Sequence, residues 1–256
     1  MRLSVRQALH AGREAEAVAW LARLVLAARD QLVALAWPDL HAEAAKTRLR
    51  RLCERGLVEA VRRADIADGG WSVYRLTHAG AQAAAALAKD SRLAAHLMRA
   101  AVETVHLGHR LATNDAIVGL VRRLGGRVEV LYPHERRLRW VSGGVWREVT
   151  PDAVLAAGGV WVALEYDRGT RSMEAIAGQV MRYAEAAQQP DLPGWARSCS
   201  VVYVLEAAGG RAEVILEAAA VAGIADRVAV TTLGGLAEVA RRLADRLAER
   251  GVVGVE

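Results

Sequence analysis

The chain of 256 residues contains no phenylalanine, two cysteines and, among its 34 basic residues, only two lysines. Cys53 and Cys199 are too few for a disulfide framework and show no metal-ligand spacing, so we expect two ordinary buried thiols. No serine or cysteine lies in a nucleophile motif, which disfavours covalent catalysis by either residue. No apolar run approaches the roughly 20 residues of a membrane span, and the first residues lack the apolar segment of a signal peptide. These absences favour a soluble, cytoplasmic protein with no membrane association.

The size and the charge distribution of the chain favour two domains. A length of 256 residues exceeds the usual size of one domain, and 53% hydrophobic residues support well-packed cores. Residues 1–110 hold 17 basic and 11 acidic side chains, whereas residues 111–256 hold 17 and 18. We therefore predict domains 1–95 and 96–256, and we expect any polyanion binding in the first half of the chain.

The pattern of the first domain indicates three helices followed by two strands. Apolar residues recur at helical spacing over Glu14–Ala28, and a second, short helix is predicted over Arg29–Trp37. Asp39 is placed to cap a third helix, which Gly56 ends. The apolar stripe of this third helix comprises Ala45, Leu49 and Leu52. The segments GLVEAVRR and GWSVYRLT then predict two strands around a loop.

The run RLRRLCERGLVEAVRRADIADGGWSVYRLTHAGAQAA resembles the winged-helix family. In that fold the third helix enters the major groove of DNA, and the wing follows the neighbouring phosphate backbone. Between Lys46 and Arg63 the chain holds seven basic and two acidic residues, which suits attraction to phosphate. The expected DNA contacts are Lys46, Thr47, Arg48, Arg50 and Arg51 on the helix, with Arg62 and Arg63 on the wing.

Two other interpretations of this basic helix are open. A basic helix face is often only solvated, and some winged helices serve as protein-interaction modules. Arginines at these positions could contact guanine edges or phosphates equally well, so the pattern predicts no DNA sequence.

Strands and helices alternate in the second domain. The alanine-rich stretch AQAAAALAKDSRLAAHLMRA is expected to continue as helix from the wing, and another helix follows through Leu124. The strand-like segments GRVEVLY, CSVVYVLE and RVAVTT are interspersed with helices predicted over 171–187, 211–221 and 235–250. We predict an α+β protein, in which a winged helix-turn-helix domain precedes a mixed-sheet α/β domain.

The stretch TPDAVLAAGGVWVALEYDRGT places three carboxylates on two apolar segments. Gly158-Gly159 is a natural hairpin turn, and the register that this turn implies puts Asp152 opposite Glu165. Strand side chains alternate between faces, so Asp167 points to the same side as Glu165. Converging carboxylates repel one another unless a cation or a proton lies between them. Oxygen ligands of this kind suit Mg²⁺ or Mn²⁺, so all three carboxylates are expected metal ligands.

The same segment resembles the core of the PD-(D/E)xK nuclease superfamily. A Pro-Asp pair is followed, thirteen residues after the aspartate, by E-x-D at the end of an apolar strand. The resemblance implies metal ligation by Asp152 and Glu165. It also matches Gln179 and Tyr183 to the Q-x-x-x-Y element of some branches, and a spacing of four puts both on one helix face.

One position departs from the nuclease pattern. Asp167 stands where the superfamily has a lysine that positions and activates the attacking water. Arg168 or Arg171 could supply the missing positive charge, but arginine is too basic to exchange a proton near neutral pH. The catalytic set implied by the resemblance is Asp152, Glu165, Asp167, Gln179, Tyr183 and Arg168.

A longer resemblance covers most of the chain. The motifs HRLATNDAIVGL, TPDAVL, VALEYDRGT and QVMRYAEA follow the winged-helix pattern in this order. Over residues 15–190 this order resembles the replication-relaxation family, whose members are encoded by bacterial plasmids and integrating conjugative elements. The resemblance implies a role in plasmid DNA relaxation, replication or transfer. The positions that match the family's recurrent residues are His109, Asn114, Asp115, Asp152, Glu165 and Asp167.

Three functions fit these patterns. The first is a DNA-binding accessory protein of a plasmid or mobile element, whose nuclease-like domain does not cut. The second is a Mg²⁺- or Mn²⁺-dependent DNA endonuclease that uses Asp152 and Glu165. The third is a protein-interaction scaffold for a relaxase. A purely structural alternative is that the acids form ion pairs with Arg147, Arg168 or Arg171.

The expected partners follow from these functions. They are double-stranded DNA, a relaxase or a replication protein, and a second copy of the chain. A homodimer could use the apolar positions of the last helix, which serve an interface as readily as a core: Leu236, Val239, Leu243 and Leu247.

Overall fold

The computed structural model describes residues 13–61, 73–102, 107–125, 128–207 and 209–249. These residues form α-helices and three β-sheets, which confirms the α+β class. They divide by contacts into two compact units, the first running through Asn114 and including Tyr132–His134, the second holding the remainder. The division into domains 1–95 and 96–256 stays a prediction. None of the helices in the described ranges combines the length and apolar character needed to span a bilayer.

The first unit combines helices with a three-stranded antiparallel sheet. Its elements are α1 (Arg13–Leu24), β1 (Leu26–Ala28), α2 (Arg29–Ala36), α3 (Ala42–Glu54), β2 (Val58–Val61), β3 (Val73–Leu76), α4 (His78–Ala88), α5 (Leu93–Val102) and α6 (Leu107–Leu124). The strand order is β1-β3-β2, with both pairs antiparallel. Helix α6 continues past Asn114 into the second unit.

Helix α3 is capped by a residue that the sequence pattern did not indicate. The His41 side chain accepts a hydrogen bond from the Ala44 amide, so His41, and not Asp39, is the N-cap. The predicted apolar stripe is confirmed, because its members are all buried: Ala45, Leu49 and Leu52. The basic residues between these positions therefore lie toward the opposite, outer side of the helix.

A strand replaces the end of the first predicted helix. Helix α1 ends at Leu24, and Val25 then adopts a left-handed conformation with φ of +70°. This backbone angle ends the helical hydrogen bonding, and β1 pairs instead with β3. All of β1 is buried. A fully buried strand and a buried helical turn are both continuously apolar, so periodicity could not separate them.

The alanine-rich stretch forms two helices, and the prediction of one continuous helix is wrong. Thr77 caps α4 by accepting a hydrogen bond from the Gly80 amide. Helix α4 ends at Ala88, and its C-cap Lys89 has φ of +56°. The Asp90 side chain then accepts a hydrogen bond from the Arg92 amide, just before α5 begins. Aspartate favours such local turn bonds over helix, which explains the break.

The two strands of the predicted wing pair as expected. Strands β2 and β3 are antiparallel over their whole length. Glu59 on β2 accepts a hydrogen bond from Arg75 on β3 at 2.7 Å. The connecting loop, with the expected DNA contacts Arg62 and Arg63, lies outside the described residues.

The second unit contains a mixed five-stranded sheet and a separate hairpin. Its elements are β4 (Glu129–Val130), β5 (Leu138–Ser142), β6 (Val145–Val149), β7 (Ala153–Ala157), β8 (Val160–Asp167), α7 (Met173–Ala187), α8 (Gly194–Ser198), β9 (Ser200–Leu205), α9 (Arg211–Val221), β10 (Val228–Thr232) and α10 (Leu236–Glu249). The strand order is β10-β9-β8-β7-β4. Strands β8, β9 and β10 are parallel, whereas β7 is antiparallel to β8 and β4.

Helices cover this sheet as predicted. Ile176 and Val180 of α7 share a hydrophobic core with Val201 and Tyr203 of β9 and with Ile215 of α9. Helix α10 packs along β8 and β10. The apolar stripe of α10 is buried within the chain: Leu236, Val239, Leu243 and Leu247. These side chains therefore serve the core of this unit, and a homodimer stays a prediction.

A hairpin that the sequence did not predict precedes the carboxylate segment. Strands β5 and β6 pair around Gly143 and Gly144, which both have positive φ. Trp140 is buried, whereas Trp146 is exposed and lies 5.0 Å from the Arg139 guanidinium. Strand β6 is exposed at four of its five positions, so its sequence lacks the alternation of apolar and polar residues that predicts a strand.

We predict that a methyl group at Gly80 destabilises the first unit. An alanine Cβ there would overlap the carbonyl oxygen of Leu57, which is backbone and cannot turn aside. Overpacking of this kind costs about 1–3 kcal/mol or more.

The matched control is Gly178→Ala in α7, where the Cβ would meet only the end of Arg182 at 3.6 Å. This change should stabilise the protein by roughly 0.5–1 kcal/mol. Urea unfolding measures the stability of both variants. Equal changes in their free energy of unfolding would contradict the close approach of Gly80 to the Leu57 carbonyl.

Candidate functional site

The predicted carboxylate hairpin forms as expected. Gly158 and Gly159 have φ of +50° and +79°, and the pairing runs from Ala157↔Val160 to Ala153↔Leu164. The next position in this register brings Asp152 to the level of Glu165. The side chain of Asp152 accepts a hydrogen bond from the amide of Tyr166 at 2.9 Å, which fixes its carboxylate beside the end of β8.

Glu165 is a buried carboxyl on the central strand of the sheet. Its exposed fraction is 2%, and its Oε1 accepts a hydrogen bond from the Tyr183 hydroxyl at 2.5 Å. Burial, followed by the negative charge of Asp152, raises the pKa of Glu165 to about 8. Hydrogen bonds from Tyr183 and Gln179 and the positive charge of Arg171 oppose this rise without cancelling it. Near neutral pH the group therefore readily holds a proton.

Helix α7 supplies the polar partners of this carboxyl. Gln179 and Tyr183 are both buried and lie one helical turn apart on one face, as predicted. The Gln179 Oε1 accepts a hydrogen bond from Arg171 at 2.7 Å, and the Tyr203 hydroxyl lies 3.4 Å away from the same oxygen. Burial and the charge of Glu165 also raise the pKa values of Tyr183 and Tyr203. Both tyrosines therefore act as neutral hydrogen-bond donors.

Asp167 is held by arginines and does not complete a group of three carboxylates. Its Oδ2 accepts a hydrogen bond from Arg211 at 2.9 Å, and its Oδ1 lies 3.5 Å from Arg171 Nε. Within the described ranges no three His, Cys, Asp or Glu side chains are grouped so that they could hold a metal. The predicted convergence of three carboxylates is thus corrected to the pair Asp152 and Glu165. Asp167 is buried, and the positive charge of two guanidinium groups compensates its negative charge in place of a metal ion.

Of the two arginines that the sequence offered, Arg171 lies beside the carboxyl pair. Arg168 is exposed and lies 3.4 Å from Glu206, away from the buried cluster. Arg171 contacts both Asp167 and Gln179 and lowers the pKa of Glu165. Arg171, and not Arg168, therefore supplies positive charge beside the carboxyl pair.

Sequence reasoning missed Arg211, the first residue of α9. Its Nη1 donates to Asp167, and its Nη2 donates to the carbonyl oxygens of Gly169 and Arg171. Strands β8 and β9 are parallel, so their carboxyl ends meet at one edge of the sheet. The start of the helix after β9 therefore lies near the end of β8, and this rule could have indicated Arg211.

The two carboxylates fit a hard divalent cation. Mg²⁺ is commonly bound through one or two carboxylates, with water and phosphate oxygens completing its shell. The repulsion between Asp152 and Glu165 that raises the pKa of Glu165 would be relieved by such a cation. The nearby charge of Arg171 opposes it. The donor set therefore fits one Mg²⁺ or Mn²⁺ held by this pair, and the cation stays a prediction.

The outer side of α3 carries the expected DNA contacts. Lys46, Arg50 and Arg51 are exposed, and Thr47 and Arg48 are half-buried. Lys46 lies 3.9 Å from Glu43, and Arg50 lies 3.5 Å from Glu54. Ion pairs between exposed side chains are weak, so these contacts do not prevent the basic groups from turning toward a phosphate.

Comparison with known families supports the resemblance noted in the sequence. The chain matches the replication-relaxation family over residues 18–194, more than half of its length. It belongs to the replication-relaxation family. Membership suggests a protein concerned with replication of a plasmid or mobile element. No curated protein and no solved structure matches the chain.

Three positions matched to the replication-relaxation family lie on α6 in different surroundings. Asn114 is buried, and its Nδ2 donates a hydrogen bond to the Leu26 carbonyl at 2.7 Å, which anchors β1. His109 is half-buried, and its carbonyl accepts from the Thr113 hydroxyl. Asp115 is exposed. Asn114 therefore has a structural role, and functional roles for the other two stay predictions.

We predict that the replication-relaxation protein loses stability through Glu165 as the pH rises. The pKa of this carboxyl is about 8 in the folded protein, against an ordinary value of 4.5, so the folded state holds an extra proton between these values. The stabilisation is complete below about pH 4.5 and is lost as the pH approaches 8. Urea unfolding between these pH values should show this decline for the wild type and a flatter profile for Glu165→Gln.

The matched control for this test is Glu174→Gln at the start of α7. Hydrogen bonds from its own backbone amide and Ser172 lower the pKa of Glu174, so its titration lies below the tested range. This variant should keep the wild-type decline. Parallel profiles for Glu165→Gln and the wild type would show that Glu165 is not held neutral.

Proposed function

We propose that the chain is a DNA-binding accessory protein of a plasmid or mobile element. The observation that carries the proposal is the arrangement of α3, whose inner side is buried while Lys46, Arg50 and Arg51 are exposed on its outer side. A helix of this kind presents positive charge to a phosphate backbone. Membership in the replication-relaxation family agrees with a DNA partner.

The order of elements in the first unit supports a winged-helix interpretation. A short strand lies between α1 and α2, α3 follows, and β2 and β3 form a hairpin that completes a three-stranded sheet. This is the order expected of a winged helix, in which α3 would be the recognition helix. Duplex DNA would then contact α3 in its major groove and the loop between β2 and β3 along its backbone.

The second unit supports a nuclease-like domain that binds without cutting. Its sheet carries Asp152 and Glu165 beside Gln179 and Tyr183, the positions matched to the PD-(D/E)xK pattern. The superfamily's lysine is replaced by Asp167, which two arginines neutralise. Arginine stabilises negative charge but does not exchange protons near neutral pH, so it replaces only part of the function of lysine.

We predict that removing positive charge from α3 weakens DNA binding. The triple variant Lys46→Gln, Arg50→Gln, Arg51→Gln should bind a duplex about tenfold or more weakly near 0.1 M salt. The slope of log affinity against log salt should also become shallower by roughly 0.9 for each phosphate that the variant no longer neutralises. Fluorescence anisotropy at several salt concentrations measures both quantities.

The control removes the same charge elsewhere in the first unit. Lys89, Arg92 and Arg99 are exposed and lie outside α3, so Lys89→Gln, Arg92→Gln, Arg99→Gln should leave the salt slope close to wild type. Equal weakening in both triple variants would remove α3 from the DNA interface. A wild-type chain that binds no duplex at any salt concentration would favour the relaxase scaffold instead.

A metal-dependent DNA endonuclease is the second candidate function. The observation that favours it is the buried Glu165 beside the half-buried Asp152, because a buried carboxyl next to a second acid is costly unless it has a function. A divalent cation bound there would supply charge stabilisation for phosphodiester hydrolysis. Tyr183 and Gln179 would orient Glu165, and Arg171 would stabilise negative charge on a phosphate.

We predict that the wild type does not cut DNA. After incubation with supercoiled plasmid and Mg²⁺ or Mn²⁺, it should produce no more nicked or linear DNA than Asp152→Asn, because Asp167 stands at the position where a lysine would exchange a proton. Gel electrophoresis over a time course measures the conversion. Duplex binding should be retained in both proteins.

Cleavage by the wild type would support the endonuclease. Metal-dependent nicking by the wild type that disappears in Asp152→Asn, with duplex binding unchanged, would overturn the accessory-protein proposal in favour of the endonuclease. An Arg168→Gln variant serves as the control, because Arg168 lies on the surface beside Glu206 and should not alter the result.

A further inference from the structure

Two adjoining cavities in the second unit, together called the cleft, lie at the beginnings of β8, β9 and β10. The larger cavity has a volume of about 380 Å³ and is lined by Arg197, Arg227 and Arg246. The smaller one shares Arg227 and Arg246 with it and adds Arg242. The charged side chains that line the two cavities are Arg197, Arg227, Arg242, Arg246 and Asp226, and Ser200 adds a hydroxyl group. The lining therefore carries four positive charges and one negative charge, in a half of the chain that is otherwise slightly acidic. Arg242 also lies 2.9 Å from Glu238, which is outside the lining.

The surrounding fold holds two of these arginines in place. Arg246 Nη1 donates to the Ser200 hydroxyl at 2.7 Å, and its Nη2 donates to the Asp226 carbonyl at 3.3 Å. Arg227 Nη1 donates to the Arg197 carbonyl at 2.7 Å. A guanidinium has five N–H donors, so each group keeps donors beyond these bonds. Guanidinium groups that are fixed before binding lose little entropy when an anion arrives.

The cleft is separate from the carboxylate pair. Strand β8 begins at Val160, which lines the cleft, and ends at Asp167 beside the carboxylate site. The strand rises roughly 3.3 Å per residue, so its length separates the two sites. Ser200 and Val202 line the cleft on the side of α10. Glu165 faces α7 on the other side of the sheet. The cleft therefore belongs to neither the carboxylate site nor its arginine partners.

We propose that this cleft binds a phosphate group. Guanidinium forks match the geometry of phosphate oxygens and bind them through paired hydrogen bonds. Four arginines suit a multiply charged phosphate better than a single carboxylate, and the Ser200 hydroxyl adds a polar group on its floor. The phosphate belongs either to a DNA backbone or to a small phosphorylated molecule. The inference is independent of the function proposed for α3 and the carboxylate pair.

Calorimetric titration of the full chain with pyrophosphate tests the site. Arg197→Gln combined with Arg242→Gln removes two lining charges and leaves the structural hydrogen bonds of Arg246 intact. Affinity should fall at least about tenfold, since one hydrogen bond between charged groups accounts for a factor of ten. The control, Arg122→Gln with Arg241→Gln, removes the same charge from exposed positions outside the cleft and should bind as the wild type does.

A second titration identifies the source of the phosphate. The α3 triple variant is mixed with an excess of a short duplex before pyrophosphate is added, so that binding through α3 does not interfere. Weakened pyrophosphate binding would assign the cleft to a DNA backbone, and unchanged binding would assign it to a small phosphorylated molecule. Absence of pyrophosphate binding to the wild type, or equally weakened binding in both double variants, would overturn the proposal.

Discussion

The second unit is organised around a buried carboxyl group that is difficult to ionise. Glu165 lies on the central strand with 2% of its surface exposed, beside the carboxylate of Asp152. A buried, unpaired charge would cost several kcal/mol, so the polar groups that face it have to neutralise or solvate it. The hydroxyl of Tyr183 and the charge of Arg171 do so from α7 and the preceding loop. This requirement explains why α7 carries polar residues on its buried face.

The same requirement accounts for the arrangement around Asp167. A second buried carboxylate on the same face of β8 needs its own compensation, and Arg211 and Arg171 supply it. Arg211 also donates to the carbonyls of Gly169 and Arg171, so it ties the end of β8 to the loop before α7. The acid therefore lies on the strand, and the positive charge that compensates it comes from a loop and from α9.

Sequence patterns predicted the parts of the fold that depend on local rules. The Gly158-Gly159 turn determined the register of β7 and β8, and helical spacing placed Gln179 and Tyr183 on one face. Contacts distant in sequence were beyond these rules. Arg211 lies 44 residues after Asp167 and reaches it only because β8 and β9 run parallel. Strand β1 was missed for a related reason, because its apolar residues pair with β3, far along the chain.

The charge arrangement also bears on how the second unit could meet DNA. Exposed carboxylates repel a phosphate backbone, but here Glu165 holds a proton near neutral pH and Asp167 is paired with two arginines. The site therefore presents less negative charge than its three acids suggest. A metal-dependent nuclease requires ionised carboxylates that attract a cation, so a divalent cation at Asp152 and Glu165 would have to displace the proton that Glu165 holds.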